Sequence, residues 1–171
     1  MTRRSIVIAA LVILLAVAGI IYWQFRPNTD ARQIRKALRE LVERAQLDAK
    51  EDALKAGVRS RSIGNAFTED VAIMTPVFRQ HVSDRPSLVA LVFRARTNLD
   101  SISVTVHDVE IEIADDRLNA TMILSFNAKV AGMGSSDEMW RDVELVWRKD
   151  EGEWQVAEAE TIETIQRPSG R

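Results

Sequence analysis

Residues 5–25 of this chain read SIVIAALVILLAVAGIIYWQF, 21 residues with no Asp, Glu, Lys, Arg or His. At 1.5 Å rise per residue the run makes about 31 Å of helix, close to the hydrocarbon thickness of a bilayer. A helix that is apolar on every side has to be buried on every side, and the rest of this chain is too small to surround it. The run is therefore expected to lie in lipid, with Ile6, Leu11, Leu14, Leu15 and Ile20 in the hydrocarbon. Tyr22 and Trp23 fall where amphipathic aromatics favour the headgroup zone. Pro27 lacks an N–H and disfavours helical geometry at the residue before it, so the helix is expected to stop near Phe25.

Arg3 and Arg4 precede the span and orient it with the N-terminus inside. Arg26, Arg32, Arg35, Lys36 and Arg39 on the other flank oppose that by simple counting. A very short tail before a first hydrophobic segment nonetheless has the layout of a signal anchor. Ala16-Val17-Ala18 has the small-residue spacing of a peptidase site, but cleavage there would leave an apolar new terminus. The expected organisation is a cytoplasmic tail over 1–4, a transmembrane anchor over 5–25 and a linker over 26–29. One folded domain over 30–165 and a flexible tail over 166–171 follow. This places the protein in the inner (plasma) membrane as a single-pass protein with its C-terminal domain outside the cytoplasm.

Asn28, Thr29 and Asp30 offer capping oxygens, and Gln33 follows Asp30 by three residues. Ile34, Ala37, Leu38, Leu41, Val42 and Ala45 then repeat at helical spacing. Arg32, Arg35, Lys36 and Arg39 on the remaining surface are placed to touch anionic lipid heads, although a solvated face is the plainer reading. A second helix is expected from Asp48 to Gly57, and a further turn over 63–67 behind Ser62. Residues 70–74 read as a strand ended by Pro76. Ser83, Asp84 and Pro86 open another helix, with Leu88, Leu91, Val92 and Ala95 as its buried face.

The remainder is strand-like. Ile102, Val104 and Val106 alternate with polar residues, the phase slips at His107-Asp108, and Val109, Ile111 and Ile113 resume in the new register. That slip predicts a β-bulge. Asp115-Asp116 makes a turn, and alternation then runs from Leu118 to Val130. A strand over 139–148, a turn at Asp150-Glu151-Gly152 and a last strand over 154–165 complete a four-strand meander. Helices segregated from an antiparallel sheet give an α+β class, with a curved sheet wrapped around the helices.

The chain carries no cysteine and two histidines, which excludes lipoprotein anchoring, disulfides and thiolate metal sites. Its net charge is −2, and without Arg3 and Arg4 the remainder is four units negative, which is not a nucleic-acid balance. No cofactor or metal is expected. His107 with Asp108 is the catalytic candidate, as a base and its orienter, but adjacent strand residues normally point to opposite faces. His81 is expected in an exposed loop. Glu158, Glu160 and Glu163 are expected on a solvated strand face. Trp140, Trp147 and Trp154 are expected to pack in the core or on the sheet.

Residues 66–76, AFTEDVAIMTP, resemble the helix-to-first-strand junction of the nuclear transport factor 2-like superfamily, which has a cystatin-like cone fold. Residues 144–156, ELVWRKDEGEWQV, are similar to that superfamily's last hairpin. The resemblance spans roughly Asp30 to Ile165. It implies a cone of helices on a curved sheet, on which enzymes, binding modules and assembly proteins are all built. Enzymes resembling ketosteroid isomerase carry a basic aspartate before the junction proline and a tyrosine donor. Here Thr75 precedes Pro76, and the single tyrosine is Tyr22, inside the apolar run.

The layout is similar to that of envelope proteins of the superfamily found in type IV secretion machines and in mammalian-cell-entry-associated systems. The expectation is thus a membrane-anchored, non-catalytic binding or assembly module. Its partners would be the bilayer and either other envelope proteins or a second copy, met through a sheet face carrying Thr121, Ile123, Ser125 and Asn127. The alternative is a small-molecule enzyme of isomerase, dehydratase or hydrolase type using the cone pocket.

Overall fold

A computed structural model of the chain describes residues 29–75, 80–132 and 134–162. The expected anchor, its flanking Arg3 and Arg4, the linker up to Asn28, Pro76, Glu163 and the C-terminal tail lie outside these residues. No helix among the described residues is long and apolar enough to cross a membrane.

Two helices lead the domain, α1 (Thr29–Ala45) and α2 (Ala53–Gly64). Strands β1 (Phe67–Thr75) and β2 (Gln80–Val82) come next, and then helix α3 (Arg85–Asn98). The meander β3 (Ser101–Ile113), β4 (Asn119–Gly132), β5 (Ser135–Asp150) and β6 (Glu153–Ile162) follows. These six strands of the described residues form one sheet in the order β2-β1-β6-β5-β4-β3.

The meander matches the alternation in the sequence. At β3 the register shifts between His107 and Glu110, and Asp108 adopts φ 51°, so the predicted bulge is present. Asp116 makes the β3–β4 turn by accepting the Leu118 and Asn119 amides at 2.8 and 3.1 Å. Glu151 and Gly152, at φ 48° and 90°, form the two-residue loop of the β5–β6 hairpin, where both central positions need positive φ.

The sheet is mixed rather than antiparallel, because β1 runs parallel to β6. The Val156 amide donates to Ala66 O at 2.9 Å where the two strands first meet. Residue 81 belongs to β2, where it pairs with Met74, and not to a loop. Strand β1 also starts three residues earlier than the sequence suggests.

The helical region departs from expectation in two places. Among the described residues two helices precede β1, not three: Asp52 rather than Asp48 caps α2, accepting the Lys55 amide at 2.8 Å. Gly57 does not end α2, and Ser62 lies inside it. The reason is packing. A Cβ on Gly64 would collide with Val89 Cγ2 of α3, and one on Gly57 would sit 3.9 Å from the Phe93 ring. Both glycines face α3, but only Gly64 has to lack a side chain for the helices to approach this closely, since a methyl at Gly57 would make ordinary contact.

On α3, Leu88 is buried, but Leu91 is 39% exposed, and the position sealed away instead is Arg96 at 1%. Helix α1 lays Ile34 and Leu38 onto the concave side of the sheet. There they join Leu88, Met122, Leu124, Leu145, Trp147 and Val156 in the core.

Candidate functional site

Buried ionisable groups are the first place to look for chemistry, since burial tunes acids and bases. Two stand out among the described residues, and each secures one end of α1. At the N-terminal end Asp30 does not act as the cap. It lies in the first turn and pairs with Lys149 Nζ at 2.7 Å. The hydrogen bond from Lys149 holds the Asp30 carboxyl below the usual range, against the opposing effect of burial. Lys149 also lies 5.5 Å from the centre of the Trp154 ring.

At the C-terminal end of α1, Arg96 donates to the carbonyls of Arg44, Ala45 and Gln46 at 3.2, 3.3 and 3.0 Å. These are orphan acceptors of a helix terminus, where a cation is also favoured by the helix dipole. Glu51 Oε2 receives Arg96 Nε at 2.9 Å, and that hydrogen bond holds the Glu51 carboxyl below its ordinary value. Each buried group is thus tied to a structural partner, Asp30 to Lys149 and Arg96 to Glu51 and the end of α1.

The expected catalytic pair is not assembled. Register puts His107 opposite Ser125, on the convex face of the sheet. Its ring stacks on Trp140, with centroids 5.4 Å apart and planes 26° from parallel. Asp108 is exposed at the bulge and makes no bond to the imidazole among the described residues. Trp147 and Trp154 are buried as expected, whereas Trp140 is 57% exposed and belongs to the outer face.

That convex face can be read off the strand register. Glu110, Ile123, Glu144 and Glu160 form one row across β3, β4, β5 and β6. Glu112, Thr121, Val146 and Glu158 form the next. Ser125 donates to Asp142 at 2.6 Å, and Asn127, buried beside the aromatic pair, donates to Glu138 at 2.7 Å. Glu144 stands directly opposite Glu160. Like charges in that position destabilise a sheet, so the face has a standing demand for cations. No cluster of three or more metal-ligating side chains occurs among the described residues.

On the concave side, α1 and the edge strand β3 enclose a groove of about 660 Å³. Its floor is Leu38, Val42, Val104, Val106 and Val109, and Arg35, Arg39 and Glu43 stand along its rim. Gln46 closes one end by pairing its amide with the Val104 backbone, donating to the carbonyl at 2.7 Å and accepting the N–H at 3.0 Å. Nothing in the local sequence singles out Arg96, Glu51, Lys149 or Gln46 as a site residue. Only the spacing of Trp140 from Trp147 carried a usable signal, since seven residues along a strand reverse the face.

The fold and a sequence match place the chain among known proteins. Residues 57–160 match the family model of the SnoaL-like domain. No curated protein matches the chain. Among solved structures, a candidate scytalone dehydratase from Novosphingobium aromaticivorans superposes with a TM-score of 0.65 at 14% identity, covering 84% of this chain and 95% of its own. An NTF2-like protein with a cystatin-like fold from the same organism gives 0.63 at 13% identity, with 86% and 90% covered. A conserved protein from Planctomyces limnophilus gives 0.63 at 20% identity, with 78% and 98% covered. Similarity at these identities speaks to the fold. The matched segment begins inside α2 and ends in β6, so α1 and its basic residues lie outside it. From family match and architecture together, this chain belongs to the SnoaL-like domain family, on the NTF2-like, cystatin-like cone fold.

Proposed function

We propose that this protein is a membrane-tethered, non-catalytic member of the family that displays the convex face of its sheet to a basic partner in the cell envelope. One observation carries the non-catalytic part. The candidate base His107 is stacked on Trp140 outside the cone, while the buried described residues are mostly hydrophobic, with Asp30, Ser60, Thr68, Arg96 and Asn127 the polar exceptions. The tether rests on the uncharged run over 5–25, and Arg3 and Arg4 before it favour a domain outside the cytoplasm of a single-pass inner-membrane protein. The acidic rows around Ile123 and Trp140 favour a lysine- or arginine-rich surface over a second copy, which would bring like charges together.

Photo-crosslinking from position 123 in native membranes tests this reading. The expected product is a heterologous adduct with a basic envelope protein, weakened by salt. An adduct of twice the chain's own mass would contradict it. A second reading, an enzyme of dehydratase, isomerase or hydrolase type, is supported by the likeness to a candidate scytalone dehydratase. It requires acid and base groups inside the cone, and turnover of a small molecule by the purified chain would establish it.

A further inference from the structure

The groove between α1 and β3 has two properties that go together. Its floor is five aliphatic side chains, and the polar backbone of Val104 beneath it is already paired by Gln46, so an occupant need bring no hydrogen bonds there. Its rim carries two cations with little to neutralise them. Arg39 has no hydrogen bond or ion pair among the described residues. Arg35 makes only a 3.5 Å contact to Val109 O, at the long limit of a hydrogen bond. Two cations four residues apart on one helix repel each other. Glu43, one turn further on, comes within ion-pair distance of neither. The volume falls in the range of ligand sites, about 300–1,000 Å³. At 1.5 Å per residue, Arg35 and Arg39 lie about 9 and 15 Å along α1 from Thr29, and Thr29 follows the apolar run by four residues.

An apolar trough with an unpaired guanidinium pair at its mouth is complementary to an anionic amphiphile. We propose that the groove binds one acyl chain of an anionic phospholipid of the membrane that holds the protein, with the headgroup phosphate between Arg35 and Arg39. This inference rests on the tether proposed above, because the tether keeps the groove within reach of lipid. It adds a ligand to a domain whose family match does not include α1.

The test uses the full chain in phosphatidylcholine nanodiscs. The discs contain a small fraction of a phospholipid with a photoreactive group at the end of one acyl chain, carried on either a phosphatidylglycerol or a phosphatidylcholine head. Labelled peptides are mapped by mass spectrometry. Both probes should label 5–25, which reports the tether. Only the phosphatidylglycerol probe should label 38–42 and 104–109, and that labelling should fall at least five-fold in Arg35→Gln/Arg39→Gln. Both positions are exposed, so the variant should fold, and unchanged labelling of 5–25 with an unchanged melting temperature confirms it. Equal groove labelling by both probes, labelling indifferent to the double variant, or a labelled anchor with an unlabelled groove would each overturn the proposal. So would complete displacement by equimolar oleate, which would assign the groove to a free fatty acid. Repeating the labelling in neutral detergent micelles reads the groove alone, so a chain that fails to enter the discs sinks the tether while the groove is still decided.

Discussion

The imidazole of His107 lies against the indole of Trp140, 5.4 Å between ring centres, on the face of the sheet turned away from the cone. Because β4 runs between their strands, the two rings meet across it, beside the buried amide of Asn127. The residue best suited to catalysis by type is therefore a surface aromatic partner. Replacing His107 by Ala should change stability by no more than about 0.5 kcal/mol, as for other exposed positions. It should reduce capture of a partner from position 123 only a few-fold, and shift Trp140 emission as the indole loses its cover. Loss of the biological role with normal folding and undiminished capture from position 123 would instead point to proton transfer at this position.

The Arg96–Glu51 pair should be a stability determinant. Arg96→Ala leaves the buried Glu51 carboxylate with only the partly exposed Arg59 at 3.4 Å and takes the donor from the carbonyls of Arg44, Ala45 and Gln46, which should cost about 3 kcal/mol. On a domain of this size that lowers the melting temperature by roughly 10 °C or more. Calorimetry of the variant against the parent measures it.

The same pair sets an acid limit. The Glu51 carboxyl is held below its usual 4.5, first by the hydrogen bond from Arg96, so the unfolded chain takes up this proton more readily. The stabilisation is complete above about pH 4.5 and is lost as pH falls through the lower folded-state value. Glu51→Gln should be the less stable protein at pH 7, with its deficit shrinking as pH drops below about 4.5. Urea midpoints at pH 7 and in the acid range give the comparison. A deficit that does not change with pH would contradict the assignment.

Two glycines of α2 should respond with opposite signs. Gly64→Ala drives a methyl into Val89 and should cost about 1–3 kcal/mol through overpacking. At Gly57 a methyl reaches only ordinary contact with Phe93, so Gly57→Ala should gain about 0.4–1 kcal/mol by restricting the unfolded chain. Equilibrium denaturation of both variants decides the matter, and a Gly57 variant that unfolds more easily would mean α2 ends there after all.

How much of this was legible in the sequence depends on the range of the interaction. The alternation of β4 and the phase slip at His107 are local, and the buried face enforces them, so strand, register and bulge were all readable. The parallel pairing of Phe67 with Val156 joins residues far apart in the chain and leaves no periodic trace. Arg96 could not be found because a guanidinium on the flank of a helix reads as solvated. Only the packing of α3 near the end of α1 supplies the carbonyls that take it inside. Gly57 looked like a helix stop because glycine favours caps, and helix-to-helix contact won over that local preference.

The tether underlies both the proposed display role and the lipid groove, and alkaline-carbonate extraction of native membranes tests it most directly. The chain should stay in the membrane pellet at 19.3 kDa. Recovery of a shortened chain, cut after Ala18 and free in the soluble fraction, would contradict it.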